Sequence, residues 1–436
     1  MADRSEQVKA FRERRFGLFI HWGLYAVPAR GEWVRHRERL SNADYQRYFE
    51  HFDPDLYDPD RWAAQAEAAG ARYLVVTTKH HDGFCLWDSA LTDYKATNTP
   101  AGRDLIAPLV RAARAHDLGI GFYHSLIDWH HPQFPIDGLH PERDSPTRDP
   151  TAPPKPDLRA HRELARYREY LHGQVRELLT GYGDLTQLWF DFSYREHVHE
   201  GRAVWGGKGA DEWGSERLLA MVRELQPGAL VNDRLDIAGD FVTPEQYQPT
   251  GPMVRDGEPV LWEACQTLNG SWGYDRDNLD DKPADLLLRM LVDTVAKDGN
   301  FLLNVGPNAR GEFGERASAT LERIGRWMRL HGRAIYGAGP SPYMAPVDCR
   351  YTQLGNRLYL HLFAWPFETV HLPGLADRVA HAQFLHDGSE VRWVVSDPDR
   401  AAYATSAGGQ PPGTVTLELP VQRPAVDIPV VELFLR

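Results

Sequence analysis

The sequence predicts a TIM-like (β/α)-barrel, with room for an irregular strand, over residues 1–340, and a C-terminal antiparallel β-sandwich over 341–436. Three observations lead there. Short runs that are apolar on both faces alternate with one-sided helical patterns, as expected of parallel strands covered by helices. The C-terminal ends of those runs carry polar and aromatic residues, and strand ends are where a barrel keeps its chemistry. Beyond about residue 340 the pattern changes to short alternating runs separated by turns, with no long helix. At 436 residues the chain can bury a large core and divide into two domains.

Taken in order, the strand candidates are FGLFIHW (16–22), RYLVVTT (72–78), LGIGFYHS (118–125), TQLWFDF (186–192), ALVNDR (229–234), VLWEAC (260–265) and NFLLNVG (300–306). Helical patterns fall between and after them, at 104–119, 161–179, 215–225, 283–299 and 317–337. In the first of these, apolar residues at 105, 106, 109, 110 and 113 form one stripe, Asp104 can cap the start and Gly119 can end it. A doubly wound open sheet competes with the barrel, but it wants a glycine-rich phosphate loop after an early strand. The first strand runs instead into HWGLYAVPARGEW. The sandwich strands are RLYLHLFAW (357–365), VRWVV (391–395), TVTLEL (414–419) and VVELFLR (430–436). Segment 131–157, rich in Pro and Asp, reads as a long loop, a functional lid or a disordered stretch.

Composition excludes several classes. A net charge of −12 argues against a nucleic-acid partner, which requires a basic face. The chain has no run of 18 or more apolar residues, so no membrane span is expected. The charged start lacks the apolar region of a secretion signal. Cys85, Cys265 and Cys349 are too few and too scattered for a disulfide framework or a zinc site, which fits a reducing cytoplasm. A homo-oligomer is compatible with the sequence but not specified by it.

The chemistry gathers at the strand ends. In chain order they offer His21-Trp22, Glu32-Trp33, His80-His81-Asp82, Tyr123-His124, Trp189-Phe190-Asp191, Asn232-Asp233-Arg234 with Glu245 beyond, Trp262-Glu263 with Trp272 beyond, and Asn304. Carboxylates, imidazoles, an arginine and indoles in one mouth suit glycoside chemistry. Two acids flank the bond, imidazoles and arginine bind hydroxyls, and aromatics stack on the sugar. Each residue also has a bland reading. His80-His81 is a hydroxyl-binding pair, a structural turn or, least favoured, a metal site, because neighbouring side chains on a strand point to opposite faces. Asp191 alone could be a structural salt-bridge partner, and Glu263 could equally be a buried supporting acid. The tryptophans are core until their convergence is counted. Cys85 and Cys265 read as small buried apolar residues.

Read together, FGLFIHWGLYAVPARGEW, TTKHHDGFCLWDS, YHSLIDWHHP, LWFD, VNDR, DFVTPEQ, WEACQTLNGSWGY and DGNFLLNVGP resemble, in order over residues 10–337, the retaining α-L-fucosidases of glycoside hydrolase family 29. The resemblance implies a barrel followed by a β-sandwich. It implies Asp191 as nucleophile and Glu245 as general acid/base, with Glu263 the alternative acid. It implies His21, Glu32, Trp33, His80, His81, Trp189, Arg234 and Trp272 as residues lining a fucose pocket. Where the family often has two tyrosines this chain has Tyr123-His124, and either could face the sugar. Trp272 or Phe19 is expected to wall the sugar's methyl group. The implied partner is a fucosylated oligosaccharide or glycoside, with no cofactor and no metal. A catalytically silent glycan-binding protein and a barrel glycosidase for another sugar are the alternatives.

Overall fold

The computed structural model describes residues 4–143, 162–199, 202–205, 207–396 and 409–436. Residues 144–157 of the long loop anticipated at 131–157 lie outside them.

The apolar runs become the strands of one parallel sheet: β1 (Phe16–Ile20), β2 (Tyr73–Lys79), β3 (Gly119–Ser125), β4 (Gln187–Asp191), β5 (Leu230–Val231), β6 (Phe241–Val242), β7 (Leu261–Thr267) and β8 (Asn300–Val305). Their order is β5-β4-β3-β2-β1-β8-β7-β6. A single parallel bridge between Asn232 and Phe241 spans the remaining gap and closes the barrel. Seven of these strands match the runs read from the sequence. The eighth, β6, spans only two residues and follows β5 through the short link 232–240, with no helix between.

Helices cover the other strands. They are α1 (Pro59–Ala69), α2 (Ile106–Ala115), α3 (Leu164–Gly181), α4 (Ser215–Leu225), α5 (Ala284–Ala296) and α6 (Glu315–His331). In α2 the stripe Ile106, Leu109, Val110 and Ala113 is buried against the sheet. Each such aliphatic side chain contributes about 1.5–3 kcal/mol by leaving water. Asp104 caps the helix, its Oδ1 accepting from the N–H of Ile106 and Ala107 at 2.8 Å each. The helix ends before Asp117, which takes the left-handed conformation at φ 53°. Gly119 therefore opens β3 and does not end the helix, a correction to the expected stop.

Strand alternation separates two cores. Leu18, Ile20, Leu74, Val76 and Phe122 point outward to the helices. Phe19, Tyr73, Val75, Tyr123, Trp189, Cys265 and Leu302 fill the barrel interior.

Past residue 348 the chain is antiparallel. One sheet has the order β9-β10-β15-β12, from β9 (Cys349–Leu354), β10 (Arg357–Leu362), β12 (Val379–Phe384) and β15 (Val430–Leu435). The other has the order β11-β14-β13, from β11 (Thr369–Leu372), β13 (Arg392–Val395) and β14 (Val415–Glu418). Leu358, Leu360, Leu372, Leu417 and Leu433 meet between the two sheets. The sandwich docks on α6: Trp327 donates its indole N–H to the carbonyl of Ile428, and Arg323 holds Asp427 through two bonds of 2.8 and 2.6 Å.

Candidate active site

Period-two alternation on β4 aims Gln187, Trp189 and Asp191 into the barrel, one above another. Asp191, last on the strand, reaches the mouth. Its Oδ2 accepts from the Tyr123 hydroxyl at 2.8 Å, and its Oδ1 accepts from Arg234 Nη1 at 2.9 Å. Arg234 extends its other terminal nitrogen, Nη2, to Glu245 Oε2 at 2.7 Å. One guanidinium thus holds both carboxylates. Its Nε is fixed by Thr243 Oγ1 at 2.9 Å, and its plane lies 4.8 Å from the centre of the Trp189 ring. Burial disfavours the charge on Arg234, but the two carboxylates outweigh it and hold its pKa above the ordinary value.

Glu245 stands on an extension of β6. The N–H of Cys265 bonds the Pro244 carbonyl at 3.0 Å, and the N–H of Gln246 bonds the Cys265 carbonyl at 3.0 Å. Gln246 has φ 58°, and its side chain bonds Thr267 Oγ1 at 2.8 Å. These contacts seat the second acid on β7.

The imidazoles arrive from β1 and β2. His21 Nδ1 lies 2.7 Å from Asn304 Oδ1, and the Asn304 amide is oriented by donating from Nδ2 to the Trp272 carbonyl at 2.7 Å. Nδ1 therefore carries the proton and Nε2 is left as an acceptor. His81 repeats the arrangement. The Ser125 hydroxyl donates to the Ile127 carbonyl at 2.7 Å, so it accepts from His81 Nδ1 at 2.7 Å. His81 Nε2 is then free to accept and lies 3.8 Å from Asp191. Burial pushes both imidazoles down to about 3, so both are neutral. Two acceptor nitrogens in a closed pocket suit the hydroxyls of a sugar, which donate.

His80 and His81 both line this pocket, with ring centres 4.0 Å apart. Simple alternation put them on opposite faces. It fails because β2 shifts register between Thr77 and Lys79 and the strand ends there. Among the described residues no group of three or more His, Cys, Asp or Glu side chains is arranged to hold a metal.

Of the other expected residues, Trp33, Tyr123, Trp189 and Trp272 line the same pocket, with Phe19 beside them. Three do not. His124 points outward from β3, its Nδ1 bonded to Thr78 Oγ1 and its ring against Trp87, so on strand three it is Tyr123 that faces the pocket. Glu32 is buried, and its Oε2 accepts the backbone N–H of Trp272 at 3.1 Å and of Gly273 at 2.8 Å. It holds the loop that carries the lining indole Trp272. Glu263 is fully buried one layer below Cys265, on the same face of β7. It accepts from Tyr73 at 2.6 Å, from Trp189 Nε1 at 2.8 Å and from Gln187 at 3.4 Å. Burial pushes its carboxyl up to about 7. The Trp189 indole lies between Glu263 and the mouth, so this acid does not meet Asp191 across a sugar.

The sequence reading missed Phe192, Cys265 and Thr243. Phe192 lines the pocket at φ 82°, its ring 5.2 Å from Trp33 and 4.9 Å from His81. Cys265 lies in the pocket floor, and its place one inward step above Glu263 was the available signal. Thr243 is visible only through its bond to Arg234.

The pocket joins two carboxylates on one cation, acceptor imidazoles and aromatic walls. Comparisons agree with that chemistry. Tissue α-L-fucosidase of Rattus norvegicus is 29% identical over 446 residues, covering 94% of this chain and 87% of its own. The solved α-L-fucosidase isoenzyme 1 from Paenibacillus thiaminolyticus superposes with a TM-score of 0.88 at 45% identity and covers 99% of both chains. A family 29 α-L-fucosidase from Bacteroides thetaiotaomicron, captured as a covalent intermediate with 2-fluoro-fucosyl fluoride, superposes with a TM-score of 0.82 at 26% identity, covering 100% of this chain and 97% of its own. The α-L-fucosidase family model matches residues 2–333, and with barrel, sandwich and pocket in agreement this chain belongs to that family.

Proposed function

We propose that this chain is a retaining, exo-acting α-L-fucosidase that removes terminal α-L-fucosyl residues from glycans or glycosides by double displacement. Residues 1–340 serve as its catalytic unit and 341–436 as its β-sandwich. The observation that carries the reading is the pair Asp191 and Glu245, held on one guanidinium at the mouth of a neutral-imidazole pocket. Asp191 attacks the anomeric carbon and the glycosidic oxygen departs with the proton of Glu245. Water, deprotonated by Glu245, then releases fucose. Retention wants the two carboxyls about 5–5.5 Å apart. Glu245 exchanges its contact with Arg234 for one with the glycosidic oxygen as the substrate enters, which puts the acid within reach of the leaving group. His21 and His81 accept from sugar hydroxyls through Nε2, and Phe19 or Trp272 walls the methyl group. Three buried thiols without a disulfide suit a reducing compartment, and we assign the chain to the cytoplasm. Among the described residues no helix is long and apolar enough to cross a membrane.

The test is hydrolysis of a nitrophenyl α-L-fucoside. Asp191→Gly abolishes turnover, and added azide restores it by attacking the vacated face. Absence of that rescue, with the variant folded, removes Asp191 as nucleophile.

A further inference from the structure

Glu263 is a buried acid for which the proposed chemistry has no use. Each of its partners donates to it: Tyr73 from β2, and Gln187 and Trp189 from β4. Reaching it takes room. Gly17 and Gly121 sit where Tyr73 and Gln187 cross the barrel. A Cβ on Gly17 would come within 2.3 Å of the Tyr73 ring, and one on Gly121 within 2.5 Å of Gln187 Cγ. The arrangement converges on the Trp189 indole. Its N–H is spent on Glu263, and its face lies 4.8 Å from the Arg234 guanidinium, which holds both Asp191 and Glu245.

We infer that Glu263 is a positioning residue for the reaction: it fixes the Trp189 indole and thereby the seat of the guanidinium that holds the two reacting carboxylates, without touching the sugar. This rests on Asp191 and Glu245 being the reacting pair. An acceptor oxygen held in the plane of the indole N–H fixes the ring's orientation, and an acid one layer below the mouth, behind that ring, has no path to the glycosidic oxygen. The role requires an oxygen acceptor at this position and no proton transfer, so amide and hydrocarbon replacements must behave differently.

The experiment compares Glu263→Gln and Glu263→Leu on a nitrophenyl α-L-fucoside and on an α-L-fucosyl disaccharide, well below each variant's unfolding temperature. Glu263→Gln keeps an acceptor oxygen and is expected to stay within about threefold of wild-type kcat on both substrates. Glu263→Leu frees the indole and is expected to lose on the order of 10- to 100-fold in kcat, equally on both and without azide rescue, the scale of a small misplacement of reacting groups. Three results overturn the inference. One is Glu263→Gln as inactive as Glu263→Leu on the disaccharide with azide rescue on the aryl fucoside, which marks an acid/base. The second is Glu263→Leu with wild-type kcat and only a lowered Tm, which marks a purely structural group. The third applies if Glu263→Leu does not fold: Trp189→Phe, which deletes the same N–H, must then show the loss, and wild-type kcat there refutes the role. A wild-type chain inert on both fucosides defeats the fucosidase reading itself, a different failure.

Discussion

Asp191 and Glu245 share a single cation, and that sharing needs the fork of an arginine. A lysine ammonium is a point charge that cannot present two coplanar donors to two carboxylates. Arg234→Lys is therefore expected to lower kcat/KM on a nitrophenyl fucoside by about 100-fold, on the order of 2–3 kcal/mol, the cost of breaking a buried hydrogen-bonded charge pair. The imidazoles give a second expectation. His21 and His81 are pushed down to about 3 by burial, so neither changes charge above pH 4. The pH profile of kcat/KM is expected to show no limb belonging to either between pH 5 and 8. His21→Phe is expected to lower kcat/KM by about 10- to 100-fold, from losing one buried acceptor, without moving the profile's limbs. Several of these side chains were legible in the sequence because strand ends announce themselves. Tyr123 against His124 was not, since the phase of alternation within the barrel is fixed only by its neighbours. Phe192 was missed because its placement follows from a backbone twist at φ 82° that no side-chain pattern reports.

At the level of the element, β4 shows how one alternation builds three layers. Gln187 and Trp189 serve the buried acid, and Asp191 serves the mouth. β1 must leave room for Tyr73 of β2, the other donor to that acid. Gly17→Ala sets a methyl against the Tyr73 ring and is expected to destabilise the fold by about 1–3 kcal/mol, read as a lowered Tm. Seven parallel strands were legible as apolar runs, β5 among them through Ala229-Leu230-Val231. β6 was not, because Phe241–Val242 is an apolar pair between Asp240 and Thr243, and parallel partners are normally joined by a dozen or more residues, whereas β5 reaches β6 through 232–240. Asp240 replaces the missing helix in that link. Its N–H bonds the Val231 carbonyl, and its carboxylate takes the Val231 N–H at 2.8 Å and Arg223 at 2.7 Å. In the sandwich, β9, β11 and β12 escaped notice because charged and polar residues such as Arg350, Gln353 and His381 interrupt their alternation.

Across the whole molecule, barrel and sandwich meet over histidines. His331 of α6 donates from Nδ1 to the Trp327 carbonyl, and His361 of β10 bonds Thr352 Oγ1 at 2.9 Å. The opposite nitrogen of each ring is buried without a partner among the described residues. Burial pushes His331 down to about 4 and His361 to about 3. An unfolded histidine titrates near 6.5, so below that pH the unfolded chain binds protons that the folded chain refuses. Stability is therefore complete above about pH 6.5 and falls as pH drops toward the folded values, by ~1.4 kcal/mol for each unit of depression. Thermal melts from pH 7 to 4 are expected to show that decline, and His361→Gln to flatten it.

A barrel of this kind ordinarily wears a full belt of helices, and here the belt is open. From Asn232 to Thr267 the chain supplies strands and loops but no helix, and this bare flank is where Arg234 and Glu245 are mounted. Glu245 is seated there on β7, through the backbone of Cys265 and the side chain of Gln246, and is held from the β5 side by Arg234. Gln248 and Pro249 then lead the chain away from the mouth to Thr294 and Lys297 at the far end of α5, so loop contacts close the flank that a helix would otherwise cover.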